Sequence, residues 1–415
     1  MSASESILDR FFASMIDHGV LTVHHASGRI SRFGAPSPGF EELEITLGDG
    51  VARQILTDPR LGAAEAWMDG KLHIAGGGIM ELIHMLRANR RWDHGQGLRA
   101  PTFFRRMKDR LSFVRTAVNH AASSKSNVAH HYDIGNDFYR LMLDAPHMQY
   151  SCAYWPDGVE TLEQAQKMKL AHIAAKLALE PGQRVLDIGC GWGGMAIFLA
   201  RRAGVHVTGI TLSEEQLALA RERAEAAGVS ALTRFELVDY RDLAKSGATF
   251  DRIVSVGMFE HVGRPQFEAY FRSIGQLMHQ GGVALVHTIG RMGKPGTTDA
   301  FTQKYIFPGG YIPALSETVA ASEKVRLIAS DVETLRLHYA KTLRCWYDRC
   351  MNHKEEIEAM YDPRFFRMWT FYLAGATSAF ENGGMCNFQI QYVRDRYALP
   401  LSRDYMASAE TQLNA

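Results

Sequence analysis

From about Asn127 onward, short apolar runs alternate with amphipathic segments along the chain. Segments with helical periodicity, such as 194–204 and 213–228, separate the apolar runs. Five of these runs are rich in β-branched residues and have the length of buried strands: 183–190, 204–211, 233–240, 250–257 and 281–290. Strands that alternate with helices predict an α/β fold with a doubly wound parallel sheet.

The N-terminal part of the chain has a different pattern. Residues 4–19 place apolar side chains on one broad helical face and end at a glycine, which predicts a helix. Residues 40–50 alternate like a strand that ends in a turn, and 61–72 predict a second helix closed by Gly70. We therefore predict a small α+β domain over residues 1–98.

A basic segment follows this domain. Between His84 and Lys125 there are ten Lys or Arg and two Asp, a net charge of +8 in a chain whose formal net charge is +1. Residues 99–118 predict a basic amphipathic helix, and the Ser- and Ala-rich residues 119–127 predict a linker. Two interpretations stay open: a helix that lies on an anionic membrane surface, or an inter-domain helix with a solvated basic face.

Length and composition narrow the class of protein. A chain of 415 residues favours two domains, and a net charge of +1 gives no general attraction to nucleic acid. The five cysteines are an odd number without a CxxC pair, which favours reduced thiols, the cytoplasm and no structural metal. The N-terminus does not resemble a signal peptide, and no apolar run is long enough to span a bilayer.

The sequence VLDIGCGWGG, residues 185–194, predicts a strand, a tight glycine turn and a helix. Its spacing fits both the GxGxxG of dinucleotide-binding proteins and the GxGxG of S-adenosylmethionine (SAM) methyltransferases. Asp187 lies two residues before Gly189, as in the methyltransferases, and no acid lies about twenty residues later to hold an NAD ribose. The loop therefore favours SAM over NAD.

Polar residues follow three other predicted strands. Thr211, Ser213 and Gln216 open a helix, where Ser213 and Gln216 also fit a structural capping box. Asp239 and Tyr240 end the third strand and suit adenine binding. Glu260 and His261 end the fourth strand; because neighbouring side chains rarely share one pocket, we expect Glu260 to face the cofactor cleft and His261 to be the weaker candidate.

At this point the chain resembles the cyclopropane-fatty-acyl-phospholipid synthase family, whose relatives include the mycolic acid cyclopropane synthases. The resemblance covers roughly residues 128–395, and the N-terminal residues are similar to the extra domain of the bacterial phospholipid enzymes. The motifs that carry it, in order, are HHYDIGNDFYRLMLD, MQYSCAYW, VLDIGCGWGG, GITLSEEQ, SVGMFEHVG, VHTIG, KYIFPGGYIP and HYAKTLRCW.

The resemblance implies a class I SAM-dependent methyltransferase fold with a Rossmann-like seven-stranded sheet over residues 128–415, and an insertion near 291–320 that we predict to be a lid. It implies two sets of site residues. A bicarbonate ion would be held by Cys152, Glu260, His287, Ile289 and Tyr339, with Cys152 and Ile289 acting through their backbone. SAM would be held by Tyr150, Ser151, Asp187, Gly189, Gly191, Thr211, Gln216, Asp239 and Tyr240.

The implied activity is cyclopropane formation on the cis double bond of unsaturated phospholipid acyl chains. Methyl transfer from SAM leaves a carbocation, and a base must then remove a proton before the ring closes. Glu260 would orient a bicarbonate base, because a carboxylate in contact with the cation could add to it. Two alternatives stay open: a methylase that gives methyl-branched or methylene products, and a non-catalytic module that binds SAM or lipid.

The resemblance, together with the charge of the basic segment, suggests how the protein meets its substrate. We expect a homodimer that associates peripherally with the inner face of the membrane from the cytoplasm. Contact with anionic phospholipids would come through the basic residues of 99–115. We expect no nucleic-acid partner.

Overall fold

The computed structural model describes residues 3–95 and 134–414. Among these, two compact units can be distinguished. The first contains residues 3–95, 298–308 and 343–385, and the second contains 134–297, 309–342 and 386–414. The predicted catalytic region, 128–415, is therefore not one contiguous unit. The predicted basic helix and linker lie outside the described residues.

Eleven strands can be assigned within the described ranges, and they form two sheets. In chain order they are β1 Gly19–His24, β2 Ile30–Ala35, β3 Glu42–Leu47, β4 Leu72–Ala75, β5 Arg184–Ile188, β6 His206–Thr211, β7 Thr233–Leu237, β8 Phe250–Val256, β9 Met278–Arg291, β10 Ile328–Leu335 and β11 Met385–Val393.

The α-helices of the described residues surround these sheets. In chain order they are α1 Ala3–Met15, α2 Val51–Thr57, α3 Gly62–Met68, α4 Ile79–Ala88, α5 Asn136–Met142, α6 Leu162–Lys176, α7 Gly194–Ala203, α8 Glu214–Ala226, α9 Tyr240–Lys245, α10 Phe267–Leu277, α11 Leu315–Glu323, α12 His338–Asn352, α13 Lys354–Met360, α14 Pro363–Glu381 and α15 Asp404–Asn414. Shorter helical turns lie at Trp92–His94, Phe259–His261, Arg264–Gln266 and Thr302–Ile306.

The first unit is built on a four-stranded sheet in the order β2-β1-β3-β4. Strand β3 buries every second residue, as its alternating sequence predicts. Helix α1 buries Leu8, Phe12 and Met15, which lie on one helical face at spacings of four and three residues. Helices α3 and α14 are joined where the Trp67 indole N–H donates to the carbonyl of Arg367 at 3.0 Å.

Residues 298–308 group with this first unit because their aromatic side chains pack against α14. The Phe301 ring lies 4.7 Å from that of Phe371, and the Phe307 ring lies 6.0 Å from that of Tyr372. The predicted lid, 291–320, is thus divided between the two units, with 298–308 in the first and 291–297 and 309–320 in the second. Its function as a lid stays a prediction.

The second unit is built on a seven-stranded sheet in the order β10-β11-β9-β8-β5-β6-β7. The pairs β5–β6, β6–β7, β5–β8 and β8–β9 are parallel, and β10–β11 is antiparallel. All five predicted strands are present, and the predicted class I methyltransferase fold is confirmed. Strands β10 and β11 are not among the five strands predicted from the sequence, and β11 buries three polar side chains, Asn387, Gln389 and Gln391.

Successive residues of the central strands pack into two different hydrophobic clusters. Leu186 and Ile253 belong to one cluster, whereas Val185 and Val254 belong to the other. Because neighbouring side chains on a strand point to opposite faces, the two clusters cover the two faces of the sheet. This leaves the strand ends as the place where polar side chains can gather. No helix within the described ranges is both long and apolar enough to cross a membrane.

Candidate active site

A cavity opens at the carboxyl ends of β5, β6 and β8 in the second unit. It encloses about 1130 Å³, including space that is open to solvent. Its position follows the rule that ligands of open α/β sheets bind beyond the carboxyl ends of the strands. The lining residues are Met148, Gln149, Tyr150, Ser151, Asp187, Ile188, Gly189, Cys190, Gly191, Trp192, Met195, Ile210, Thr211, Leu212, Gln216, Val238, Asp239, Tyr240, Arg241, Val256, Gly257, Met258, His261 and Val262.

The cavity wall brings together every residue predicted to hold SAM. These are Tyr150, Ser151, Asp187, Gly189, Gly191, Thr211, Gln216, Asp239 and Tyr240, which come from four separate segments of the sequence. Their individual contacts with SAM stay a prediction, but their convergence on one cavity is a property of the fold.

The glycine loop has the geometry that its sequence predicts. Gly189, Gly191 and Gly193 have φ angles of 78°, 54° and 77°, in the left-handed region that favours glycine. A Cβ atom on Gly191 would meet no atom within 4 Å, so this residue exposes its backbone to the cavity. Gly194 has a different role, because its Cβ would lie 2.0 Å from the carbonyl oxygen of His147. Helix packing therefore accounts for Gly194.

Asp187 is the buried acid of the cavity. Only 2% of its surface is exposed, and its Oδ2 atom has no hydrogen-bond partner among residues 3–95 and 134–414. Burial raises the pKa of this carboxyl to about 7. An incoming ligand with N–H or O–H donors can satisfy the open oxygen, so the site fits the ammonium and hydroxyl groups of SAM.

Lys169 of α6 supports the cavity wall, and sequence reasoning missed it. Its fully buried ammonium donates to Gln149 Oε1 at 2.6 Å and to Ser151 Oγ at 2.8 Å. Burial lowers the pKa of Lys169 to about 8, while the nearby acids Asp144 and Asp187 oppose that change. The local sequence gave no signal for it, because a lysine in a helix is usually exposed and only the fold shows that this one is buried.

The polar residues at the end of β6 and the start of α8 stabilise the start of the helix, and some of them also line the cavity. Ser213 Oγ accepts the backbone N–H of Gln216 at 3.3 Å and caps α8. Thr211 Oγ1 lies 2.8 Å from Gln216 Oε1, and both residues line the cavity. Ser213 is therefore the N-cap, but the Gln216 side chain pairs with Thr211 and does not complete the predicted capping box. Binding of SAM by Thr211 and Gln216 stays a prediction.

Asp239 and Tyr240 line the cavity, but each also has a local partner. Asp239 caps α9 by accepting the backbone N–H of Arg241 at 2.9 Å, and it forms an ion pair with the same guanidinium at 2.6 Å. The Arg241 guanidinium lies 5.3 Å from the centre of the Tyr240 ring. Burial raises the pKa of Tyr240 to about 12, so the phenol stays protonated at neutral pH.

The five residues predicted to act as the base site do not line this cavity. Two of them lie next to its wall in sequence: Cys152 follows Ser151, and Glu260 precedes His261. Glu260 is 6% exposed, and its Oε1 accepts the backbone N–H of Ile289 at 2.5 Å. Burial raises the pKa of this carboxyl to about 7, against the lowering effect of the Ile289 amide.

His287 lies two residues before Ile289 on β9, so it is close along the strand to the amide that holds Glu260. Its Nδ1 is 3.1 Å from the side-chain nitrogen of Gln389. Within the described ranges, His287 Nε2 and Glu260 Oε2 are buried polar atoms without a hydrogen-bond partner. Burial lowers the pKa of the imidazole well below its ordinary value, so the ring is neutral.

Cys152 and Tyr339 belong to segments that pack on each other. The backbone N–H of Ala153 donates to Thr342 Oγ1 at 3.1 Å, and that of Trp155 donates to His338 Nδ1 at 2.9 Å. Both acceptors lie in the first turns of α12, next to Tyr339. Burial raises the pKa of the Cys152 thiol, which leaves it a poor nucleophile.

The placement of Glu260 and His261 corrects the sequence interpretation. We expected Glu260 to face the cofactor cleft, but His261 lines the cavity and Glu260 does not. Both residues lie in the short helical turn Phe259–His261. With about three residues per turn, neighbouring side chains in such a turn point in directions about 120° apart. A strand-end pattern alone does not reveal this rotation.

The mostly parallel sheet, the glycine loop and the buried acid at the end of β5 define a SAM-dependent methyltransferase, and the protein is an enzyme of that class. Residues 119–390 match the family model described as "Mycolic acid cyclopropane synthetase". The chain belongs to this family.

Two curated relatives show how far the similarity extends. The chain is 39% identical over 378 residues to the "Cyclopropane-fatty-acyl-phospholipid synthase" of Escherichia coli. The matched region covers 89% of this chain and 92% of the relative. It is 42% identical over 288 residues to a "Probable fatty acid methyltransferase" of Pseudomonas putida, which covers 67% of this chain and 73% of the relative.

A solved structure gives the same result for the fold. The mycolic acid cyclopropane synthase CmaA1, solved in complex with SAH and CTAB, matches with a TM-score of 0.60 and 31% identity. The match covers 65% of this chain and 97% of that one. The predicted resemblance to cyclopropane synthases is thereby confirmed.

Proposed function

We propose that this protein transfers a methylene group from SAM to the cis double bond of an unsaturated acyl chain in a membrane phospholipid, which gives a cyclopropane ring. The observation that carries the proposal is the buried pair Glu260 and His287, each with one unpartnered polar atom, beside a cavity suited to SAM. Similarity to the Escherichia coli enzyme over 89% of the chain supports the same substrate class.

The residues of the cavity position the methyl donor. When bound there, SAM supplies an electrophilic methyl group to the alkene. The glycine backbone at Gly189 and Gly191 permits close approach of a ligand. Asp187 offers a buried carboxylate oxygen to the donor's cationic end, and Lys169 holds Ser151 and Gln149 in place behind the wall.

The residues of the base site fit an anion that carries a hydroxyl group, and bicarbonate has that form. Glu260 Oε2 can accept a hydrogen bond from a hydroxyl, and His287 Nε2 can donate one to an anionic oxygen. Bicarbonate held by these residues, with Tyr339 and the backbone of Cys152, would supply the base for proton removal. The Ile289 amide already binds Glu260, so its contribution to the site is to orient that carboxyl.

Glu260 is an orienting group in this proposal, and not the base. A carboxylate that touched the carbocation could form an ester and trap the enzyme. The Ile289 amide fixes Oε1 and leaves Oε2 as the available oxygen. Because burial raises the pKa of Glu260 to about 7, the carboxyl can exchange its proton near neutral pH.

The way in which the protein reaches its lipid is part of the same proposal. The basic residues of 99–115 contact an anionic membrane surface, and the enzyme acts as a homodimer at the inner face of the membrane. Composition supports the first statement, because ten Lys or Arg and two Asp lie between His84 and Lys125. The segment 291–320 closes over the substrate as a lid.

A second candidate function is methylation of the acyl chain without ring closure. It is favoured by the 42% identity to a relative from Pseudomonas putida named as a probable fatty acid methyltransferase. The presence of both Glu260 and His287 favours ring closure, because a base held at the new methyl group can remove its proton while the cation is still on the neighbouring carbon, before the cation migrates or a hydride donor reduces it.

One experiment distinguishes these functions. The protein is incubated with SAM and vesicles of phosphatidylethanolamine and phosphatidylglycerol that carry cis-unsaturated chains, and the fatty acids are analysed by mass and by ring-specific fragmentation. We expect a mass gain of one CH₂ unit and ring-specific fragments. Vesicles with saturated chains are the control and should give no product. A methyl branch or a methylene product would support the second candidate, and no product would support a binding module.

A further inference from the structure

His287 is the first member of a series of hydrogen-bonded, buried polar side chains that have no role in the proposed reaction. Its ring nitrogen Nδ1 is 3.1 Å from Gln389 Nε2, and Gln389 Oε1 accepts from Lys176 Nζ at 2.7 Å. Lys176 Nζ also donates to Glu333 Oε2. His287 and Lys176 are each 1% exposed, and Gln389 is fully buried. These groups come from β9, β11, α6 and β10.

The order of donors and acceptors fixes which ring nitrogen of His287 carries the hydrogen. An ammonium group only donates, so the atom of Gln389 that faces Lys176 must be its oxygen. The Gln389 amide nitrogen therefore faces His287, and an NH₂ group only donates. His287 Nδ1 must accept that hydrogen bond, and a neutral imidazole with an acceptor at Nδ1 carries its hydrogen on Nε2.

Lys176 is itself held by a second set of charges. Glu333 Oε2 is also 2.7 Å from His172 Nε2, and His172 Nδ1 is 2.9 Å from Glu410 Oε2. Glu333 thus accepts hydrogen bonds from both His172 and Lys176, and these bonds fix the position of the Lys176 ammonium group. Only the Gln389 side-chain amide separates the Lys176 ammonium from His287. This nearby positive charge disfavours a second proton on the imidazole.

We propose that Gln389 and Lys176 are positioning residues that hold His287 as the Nε2–H tautomer and aim that hydrogen at the ligand of the base site. The use of the hydrogen rests on the proposed function, because it needs an anion to accept it. Its location on Nε2 does not, because it follows from the hydrogen bonds of the folded protein alone.

The strand β11 offers a matched control for Gln389. Gln391 is also a buried glutamine, 1% exposed, on the same strand. Its amide nitrogen donates to Tyr405 OH at 2.8 Å and to the backbone oxygen of Lys176, and its Oε1 accepts from Ser330 at 2.8 Å. Replacement of Gln391 removes comparable hydrogen bonds without removing a partner of His287.

The test is two-bond ¹H–¹⁵N spectroscopy of full-length protein labelled at the histidine ring nitrogens. The His287 signals are assigned from their loss in His287→Phe. In the unsubstituted protein we expect the pattern of a neutral ring with its hydrogen on Nε2. In Gln389→Leu and Lys176→Met we expect that pattern to change toward a mixture of tautomers, and in Gln391→Leu to stay unchanged.

Kinetics supply the second readout. At saturating SAM, ring formation should fall roughly tenfold or more in Gln389→Leu and Lys176→Met, as is typical when a group that orients a site residue is removed. The KM for SAM should stay within about twofold, because neither residue lines the cavity. Gln391→Leu should retain its turnover even though its urea midpoint falls as in Gln389→Leu.

The outcomes separate the two proposals. An Nδ1–H or doubly protonated His287 in the unsubstituted protein would overturn the positioning role without any variant having to fold. An unchanged His287 pattern in both variants would overturn it as well. If the pattern changes as expected but the unsubstituted protein forms no ring, the proposed function fails and the positioning role stands.

Discussion

The cavity suited to SAM and the proposed base site belong to one unit but are built in different ways. The cavity is formed by strand ends and the loops that follow them, and the glycine loop at Gly189 and Gly191 sets its shape with local backbone conformation. The base site depends on partners that are distant in sequence, such as His287 and Gln389, which lie 102 residues apart. A cofactor site can thus follow from a short motif, whereas a buried acid–base site requires the complete sheet.

The largest effect is expected from Glu260→Gln, which changes the proposed base site without changing a residue that lines the cavity. Glu260→Gln keeps the shape of the side chain and removes its ability to ionise, so we expect ring formation to fall by about 10²–10³-fold in kcat. The KM for SAM should change little, because Glu260 does not line the cavity. Initial rates with unsaturated vesicles at varied SAM measure both constants.

His261→Gln is the matched variant for the same short turn. His261 lines the cavity, so we expect the KM for SAM to rise about threefold to tenfold while kcat falls less than in Glu260→Gln. If Glu260→Gln raised the KM for SAM and left kcat intact, the two sites would not be separate in function.

An intermediate effect is expected from the buried acid of the cavity. Asp187→Asn should weaken SAM binding by about tenfold, because a hydrogen bond to an ionised group is lost. The raised pKa of about 7 means that Asp187 becomes ionised as the pH rises from 6 to 8, so SAM affinity of the unsubstituted protein should increase over that range. Isothermal titration calorimetry at several pH values measures both effects. Asp187→Asn should lose the pH dependence, and a slope retained in that variant would assign it to another group.

The smallest expected effect concerns the outer part of the base-site network. Burial opposes protonation of His172, but hydrogen bonds to Glu333 and Glu410 outweigh it and raise its pKa. A raised folded-state pKa gives a contribution to stability that is fully present below about pH 6.5 and is lost as the pH rises through the folded pKa.

Glu410→Gln should therefore lower the free energy of unfolding by about 1 kcal/mol at pH 6 and reduce its decline toward pH 9. Urea unfolding at both pH values checks this. The exposed pair His24 and Glu44, 3.1 Å apart, gives a control: Glu44→Gln should change stability by less than about 0.5 kcal/mol at either pH. Equal effects of the two substitutions would mean that burial of His172 adds nothing.

The contrast between the cavity and the base site also explains which features can be predicted from the sequence and which cannot. The strands, the glycine loop and Asp187 follow from local patterns, and the structure brings all nine predicted SAM residues to one cavity. Lys169, Lys176 and Gln389 could not be found in that way. A lysine in a helix and a glutamine in a strand usually indicate exposed positions, and only the folded chain shows that they are buried against each other. The different directions of Glu260 and His261 likewise depend on the helical turn that the chain adopts after β8.

The position of Gln389 on β11 has a consequence for the time course of synthesis. At ordinary elongation rates of about 5–20 residues per second, the ribosome adds Gln389 roughly 5–20 s after His287. Every lining residue of the cavity, through Val262, is made before His287. A nascent chain can therefore contain the whole methyl-donor pocket while its imidazole still lacks the partner that fixes its hydrogen. The residues of the donor pocket are thus all synthesised before the partner that sets the His287 tautomer, so any chain that ends before β11 lacks the complete proton-transfer network.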